Sequence, residues 1–207
     1  MDNFNRKGNK MGKIFVIMGK SASGKDTVFK RLVELSSYPL KTVVIYTTRP
    51  SRPGEQNGVE YFFVTEEHLK KLREEGKIIE ERRYDTVHGP WYYFTANDEQ
   101  IDITKENYIM ISTLAGYEQI RDYYGEEHVI PIYIEADNKE RLLRYINREA
   151  QQKKPNYCEV CRRFLADEED FSEQELTRLG IEKRYWNSDL TCCCEEIQKE
   201  MGNYSCL

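Results

Sequence analysis

The run Gly19-Lys20-Ser21-Ala22-Ser23-Gly24-Lys25-Asp26-Thr27 constrains this chain more than any other stretch. It fits a phosphate-binding loop, whose pattern is glycine, four free positions, then Gly-Lys and a hydroxyl residue. Gly19, Gly24 and Lys25 fill the fixed positions, Asp26 stands where Ser or Thr is usual, and Thr27 follows. The apolar run Ile14-Phe15-Val16-Ile17-Met18 before it reads as a buried parallel strand. After it Val28, Phe29, Leu32, Val33 and Leu35 keep a helical period, so the loop opens a helix. In such a turn the glycines let the backbone N–H groups of Ser21 through Thr27 curl inward. The helix N-terminus adds positive potential, and Lys25 reaches the terminal phosphates. The pattern implies a nucleotide-binding α/β fold.

Alternation of strands and helices continues along the chain. Thr42-Val43-Val44-Ile45-Tyr46, Tyr108-Ile109-Met110-Ile111-Ser112 and Val129-Ile130-Pro131-Ile132-Tyr133-Ile134 read as further strands. Pro131 suggests a position near an edge or bulge. A short helix is expected after Gly116, and a basic helix over Lys139 to Arg148. The alternation calls for a three-layer α/β/α domain with a parallel core sheet. Between Arg49 and Thr95 the rhythm breaks. Tyr61 to Val64 and Lys77 to Glu80 read as short strands flanking a polar helix over Glu66 to Glu75, which Gly76 ends. That region is expected to be an inserted α+β subdomain.

The chain's 207 residues suit one such domain rather than two. We expect a flexible tail over 1–12, with Met11 an alternative start, and a single domain over 13–207. Its core would comprise 13–48, 96–140 and 180–207, its insertion 49–95 and its lid 141–179. The polar stretch Gln151 to Pro155 reads as the lid tip. A formal charge of −5 argues against nucleic acid held by general electrostatics. No apolar run approaches the ~20 residues of a membrane span, and the polar N-terminus lacks a signal peptide's apolar core. A cytoplasmic location is expected.

Six cysteines are present: Cys158, Cys161, Cys192, Cys193, Cys194 and Cys206. Cys158 and Cys161 have a C-x-x-C spacing, yet lie at i, i+3 of an expected helix without a second pair or a histidine pair. They read as packing or incidental thiols, as do Cys192 to Cys194, which point in different directions around a C-terminal helix.

The run Thr47-Thr48-Arg49-Pro50-Ser51-Arg52-Pro53-Gly54-Glu55, continuing through Gly58-Val59-Glu60-Tyr61-Phe62-Phe63-Val64, resembles the signature of guanylate kinases. Ile78-Ile79-Glu80 and Trp91-Tyr92-Tyr93-Phe94-Thr95 follow at matching intervals, and the resemblance spans Lys13 to the C-terminal helix. It implies ATP and Mg2+ as cofactors, small-molecule nucleotides as partners, and phosphoryl transfer to a nucleoside monophosphate, with GMP the leading acceptor. Arg49, Arg52, Tyr61 and Tyr93 would hold the acceptor's phosphate, a task suited to forked guanidinium groups and uncharged phenols. Pro50 and Pro53 would stiffen the loop that presents the arginines. Glu80 would read the guanine edge with Thr95 and Thr113.

Three departures from the pattern stand out. Ile45 and Thr113 occupy positions where the family carries a serine and an aspartate for guanine, and Ile45 cannot hydrogen-bond through its side chain. The strand Ile111-Ser112-Thr113-Leu114 lacks the family's acidic residues, so Asp26 either supplies a magnesium ligand or caps its helix. The Gly-Lys-Asp variant also resembles ribose 1,5-bisphosphate phosphokinases. A kinase of another phosphorylated small molecule and a catalytically retired binding module therefore remain alternatives. In the lid, Arg144 and Arg148 share one helix face, and with Arg163 are placed by the resemblance over the exchanged phosphates. Arg141 and the cluster Asp167 to Asp170 read as solvated salt-bridging residues.

Overall fold

The structure, a computed structural model, describes residues 11–36, 39–52, 54–86 and 89–204. Most of the expected tail (1–10), Pro53 and Cys206 lie outside the described residues. In chain order the elements are β1 (Ile14–Met18), α1 (Lys25–Leu35), β2 (Leu40–Thr42), β3 (Tyr46–Thr47), β4 (Phe62–Phe63), α2 (Glu66–Glu74), β5 (Ile78–Thr86), β6 (Gly89–Ala96), β7 (Asn107–Ile111) and α3 (Leu114–Tyr124). They continue with β8 (Val129–Glu135), α4 (Asn138–Ala150), α5 (Tyr157–Asp170), α6 (Glu173–Arg178), β9 (Arg184–Trp186) and α7 (Leu190–Tyr204).

β1 is wholly buried because it is central in every direction. It pairs in parallel with β7 and β8, within a five-stranded sheet of order β2-β7-β1-β8-β9. Its alternate side chains serve two cores. Ile14, Val16 and Met18 pack with Tyr117 and Ile120 of α3 and Leu176 of α6. Phe15 and Ile17 pack with Val28 and Leu32 of α1 and Ile197 and Met201 of α7. This is the apolar signature of a strand covered on both faces. All pairings in this sheet are parallel. Pro131 sits opposite Val16, while β8 meets β9 only from Tyr133 onward, so the proline faces an unpaired flank on that side.

The expected strand over 42–46 is instead divided between two sheets. β2 closes the parallel sheet, and β3 belongs to a second sheet of order β4-β3-β6-β5. The apolar link Val43 to Ile45 is where the chain crosses from one to the other. At its ends Val43 N–H donates to Ile109 O of β7 and Ile45 O accepts from Phe62 N–H of β4, while Val44 between them finds its partner on a side chain, as buried backbone must. Val44 N–H donates to Gln100 Oε1 at 3.0 Å, and Gln100 Nε2 returns a bond to Val44 O at 3.2 Å. Gln100 lies on the return crossing between β6 and β7, so one amide laces both passages. Gly12 also corrects the expected tail boundary: it is buried, and its N–H donates to Ile103 O at 2.6 Å.

β5 runs on past the expected end at Glu80, because all the way to Thr86 it pairs antiparallel with β6. One face of this second sheet is closed by α2, with Leu69 and Leu72 against Phe94 and Ala96. Thr65 caps α2 by accepting from His68 N–H at 3.2 Å, and Gly76 at φ 65° takes the left-handed turn that ends it. α3 begins at Leu114, ahead of Gly116, because the Thr113 side chain caps it.

Candidate functional site

The phosphate loop turns sharply between β1 and α1. Gly24 takes φ 90°, and a Cβ there would collide with the side-chain amide of Asn187, so glycine is required on two counts. At Gly19 a Cβ would lie 2.5 Å from Ile134 O and 2.8 Å from Ser23 Oγ. Asn187 Nδ2 donates to Ser23 O at 2.8 Å, and Ser23 N–H donates to Lys20 O at 3.1 Å. Among the described residues the Ser23 hydroxyl itself, which is buried, has no hydrogen-bond partner. An orphaned buried donor in a glycine-lined turn fits a ligand rich in oxygen acceptors.

Asp26 and Thr27 are exposed in the first turn of α1, and Gly24 makes no side-chain cap there. The Asp26 carboxylate lies 3.8 Å from Lys25 Nζ. Among the described residues no group of three His, Cys, Asp or Glu side chains could hold a metal. Magnesium carried on phosphates needs only one or two carboxylates and keeps most of its waters. A single exposed Asp26 beside the loop suits that mode. The thiols Cys158, Cys161 and Cys192 are exposed, while Cys193 and Cys194 are buried in the packing of α7.

The loop after β3, expected to bind the acceptor, centres on Arg49, buried at 3% exposure. Its Nε donates to Tyr93 Oη at 3.2 Å, and its two terminal nitrogens donate to Glu55 at 2.9 Å each. The guanidinium also lies over the Tyr61 ring, 5.2 Å from its centroid. Burial works against the Arg49 charge, but the bonds to Glu55 and Tyr93 outweigh it and raise the group's pKa. Burial likewise raises the Tyr61 phenol, which stands edge-to-face with Tyr93 at 5.7 Å. Arg52 is exposed, and its N–H donates to Glu55 Oε2 at 2.7 Å.

Glu80 and Thr95 face each other across β5 and β6, both buried, with Thr95 Oγ1 donating to Glu80 Oε1 at 2.9 Å. Thr113 is half-buried at the start of α3, where its hydroxyl accepts from Gly116 N–H at 3.2 Å. Ile45 packs its side chain against the main core, while its carbonyl accepts from Phe62 N–H.

The arginines of the expected lid fall into separate environments. Arg144 donates to Glu140 at 2.9 Å and stands close to the phosphate loop, its Nη1 3.9 Å from the position of a Cβ on Gly24. Arg148 and Arg163 meet at Tyr145: Arg148 lies 4.6 Å over its ring, and Arg163 Nη1 donates to its hydroxyl at 3.4 Å. Arg162 turns outward onto Glu159. Glu159 also takes Arg163, and its carboxyl is held down to about 2, chiefly by Arg162.

Arg141 is not a solvated residue. It is 1% exposed; its Nε donates to Ser21 O at 3.1 Å, Nη1 to Glu168 at 2.7 Å and Nη2 to Asp167 at 3.2 Å. Asp167 in turn accepts from Ser21 N–H at 2.7 Å, and Glu168 from Lys20 Nζ at 2.7 Å. The network pins the end of α5 to the phosphate loop, as no local pattern announces. Asn187 also had no signal beyond a polar turn after β9. Glu55 was more legible, lying within the arginine loop, whereas Arg82 falls beyond the strand expected to end at Glu80.

The family model described as guanylate kinase matches residues 11–178. The guanylate kinase of Porphyromonas gingivalis is 29% identical over 197 residues, 94% of this chain and 98% of that protein. That of Methylobacillus flagellatus is 32% identical over 157 residues, 75% of this chain and 72% of that protein. In the fold, this chain is similar to the crystal structure of guanylate kinase from Anaplasma phagocytophilum, with TM-score 0.67 and 20% identity, over 96% of this chain and 88% of that one.

Proposed function

Because the chain belongs to the guanylate kinase family, we propose that it transfers the terminal phosphoryl group of ATP to a nucleoside monophosphate, with GMP as acceptor and GDP as product. The observation that carries this reading is the placement of Arg144 against a glycine turn that holds both Lys25 and an unpartnered buried Ser23 hydroxyl. The loop from Gly19 through Ser21, Ala22, Ser23 and Gly24 to Thr27 would cradle the ATP phosphates, and Lys25 would meet the charge that develops on the transferred group. Asp26 would hold magnesium, directly or through water; when bound, it neutralises charge between the phosphates.

On the acceptor side Arg49 and Arg52 supply charge, and Tyr61 and Tyr93 supply hydroxyls without adding more. Glu80, Thr95 and Thr113 line the base end. α4 and α5 act as the lid, bringing Arg144, Arg148 and Arg163 to the exchanged phosphates. Phosphoryl transfer asks little proton transfer of the protein, so alignment and charge neutralisation supply most of the rate. Among the described residues no helix is long and apolar enough to cross a membrane, and we place the reaction in the cytosol, where ATP and its acceptors meet.

The test is coupled ADP release from ATP and magnesium, screened over all nucleoside monophosphates and over sugar phosphates. Turnover highest with GMP is expected. Turnover with a sugar phosphate alone, or with nothing, overturns the reading.

A further inference from the structure

Glu80 is not free at the base end of the acceptor cleft. Two residues along β5, and so on the same face of the strand, Arg82 forks onto it, with Nε at 3.0 Å from Oε2 and Nη2 at 3.2 Å from Oε1. Arg82 is 12% exposed and Glu80 fully buried. The register sets the order along the cleft. Arg82 pairs across the sheet with Tyr93, beside Arg49, and Glu80 pairs with Thr95. The guanidinium therefore lies between the residues placed on the acceptor's phosphate and those placed on its base.

The arrangement changes what the pocket can read. Guanine offers two neighbouring donors, a ring N–H and an exocyclic amino group, and wants two acceptors. An ionised carboxylate has about four lone-pair sites. Arg82 and Thr95 take three of those on Glu80, which leaves one. In exchange the pocket gains donors. Arg82 has five N–H groups, and its recorded bonds use two of them. The Ser112 hydroxyl is buried and has no partner among the described residues. A Cβ on Gly116 would collide with that hydroxyl while lying 3.2 Å from Glu80 Oε2 and 3.5 Å from Arg82 Nε. All three groups thus converge under the first turn of α3. One acceptor next to surplus donors complements a ring N–H next to a carbonyl.

We propose that Arg82 is a specificity-determining residue that opens the pocket to purine monophosphates bearing a carbonyl where guanine carries its amino group, xanthosine monophosphate being the fitting case. The inference rests on the acceptor's being a nucleoside monophosphate.

The experiment compares kcat/KM for GMP, inosine monophosphate and xanthosine monophosphate on the wild-type protein, Arg82→Ala and Arg82→Lys, with calorimetric binding of the same nucleotides to each. The wild type should use xanthosine monophosphate within about tenfold of GMP, and Arg82→Ala should raise the preference for GMP over it by at least about tenfold. Arg82→Lys, which keeps the charge against Glu80 but loses the fork, should fall between. Should Arg82→Ala fail to fold, the lysine variant and the wild-type binding ratio decide. Equal losses for all three nucleotides would place Arg82 on the phosphate or ribose and overturn the proposal. So would a wild type that rejects xanthosine monophosphate by more than about a thousandfold. Absence of turnover with every nucleoside monophosphate would overturn the kinase reading instead, and the binding ratios would still decide the role of Arg82.

Discussion

Arg49 and Glu55 meet fork to fork, each terminal guanidinium nitrogen donating to one carboxylate oxygen at 2.9 Å, with the arginine almost fully buried. A buried guanidinium held in this way is aligned before any phosphate arrives. Arg49→Ala should raise the acceptor's KM about 30- to 1,000-fold, the equivalent of losing a charged hydrogen bond worth roughly 2–4 kcal/mol, while the KM for ATP changes little. Steady-state kinetics with each substrate varied decide this, and equal damage to both would give Arg49 a structural role. Glu55→Gln should lower the midpoint of urea unfolding, since Arg49 then loses its counter-charge.

Lys25 stands at the first residue of α1, half-buried beside the glycine turn. Lys25→Ala should lower kcat by about a hundredfold or more with no fall in melting temperature, because the lysine's charge is needed in the transition state rather than in packing. Near-normal turnover in a folded Lys25→Ala protein would end the kinase assignment.

Thr113 caps α3, and aspartate caps as well as threonine. Thr113→Asp should leave stability unchanged while adding an acceptor near Glu80. Its kcat/KM ratio for GMP over AMP should rise by about 1–3 kcal/mol, and Glu80→Gln should lower the same ratio. If neither substitution moves the ratio, this end of the cleft does not read the base.

Arg141→Ala would take the arginine partner from Asp167 and Glu168 and release Ser21 O. The expected loss is about 3 kcal/mol, at the lower end for a broken buried pair because Glu168 keeps Lys20 and both carboxylates reach some water. Chemical denaturation measures it, and a loss below about 1 kcal/mol would show the network to be dispensable.

Burial pushes the Cys193 thiol up to about 12. At pH 8 only about one molecule in ten thousand would carry its thiolate, the reactive form. Iodoacetamide should therefore label the exposed Cys158 and Cys161 of the native protein and spare Cys193, with peptide mass spectrometry as the readout. Rapid native labelling of Cys193 would show that α7 opens.

The parts of this protein legible in its sequence are those whose causes are local. β1, the glycine turn and α1 follow one another within a short stretch, and each carries its own periodicity or motif. Val43-Val44-Ile45 misleads because apolarity marks burial rather than pairing: these residues are apolar where the chain passes between two sheets, and their backbone partners include a glutamine side chain. Arg141 misleads in the opposite sense. A charged residue on a charged helix reads as solvated, and the groups that bury it are 26, 27 and 120 positions away. Arg82 sits in the run Glu80-Glu81-Arg82-Arg83, whose alternation places one Glu–Arg pair in the cleft while Arg83 is exposed on the opposite face. Only the pairing of β5 with β6 and the position of α3 say which pair is which.

The Gln100 side chain has a mechanical consequence. The small sheet hangs from the large one by two strips of backbone, and this amide rivets the outgoing strip to the returning one through both backbone polar groups of one residue, Val44. Two independent tethers would let the small sheet twist by paying out one strip against the other. Joined at a common pin they carry load together, so Tyr93 and Glu80, which that sheet bears, keep their spacing as parts of one plate rather than shifting independently.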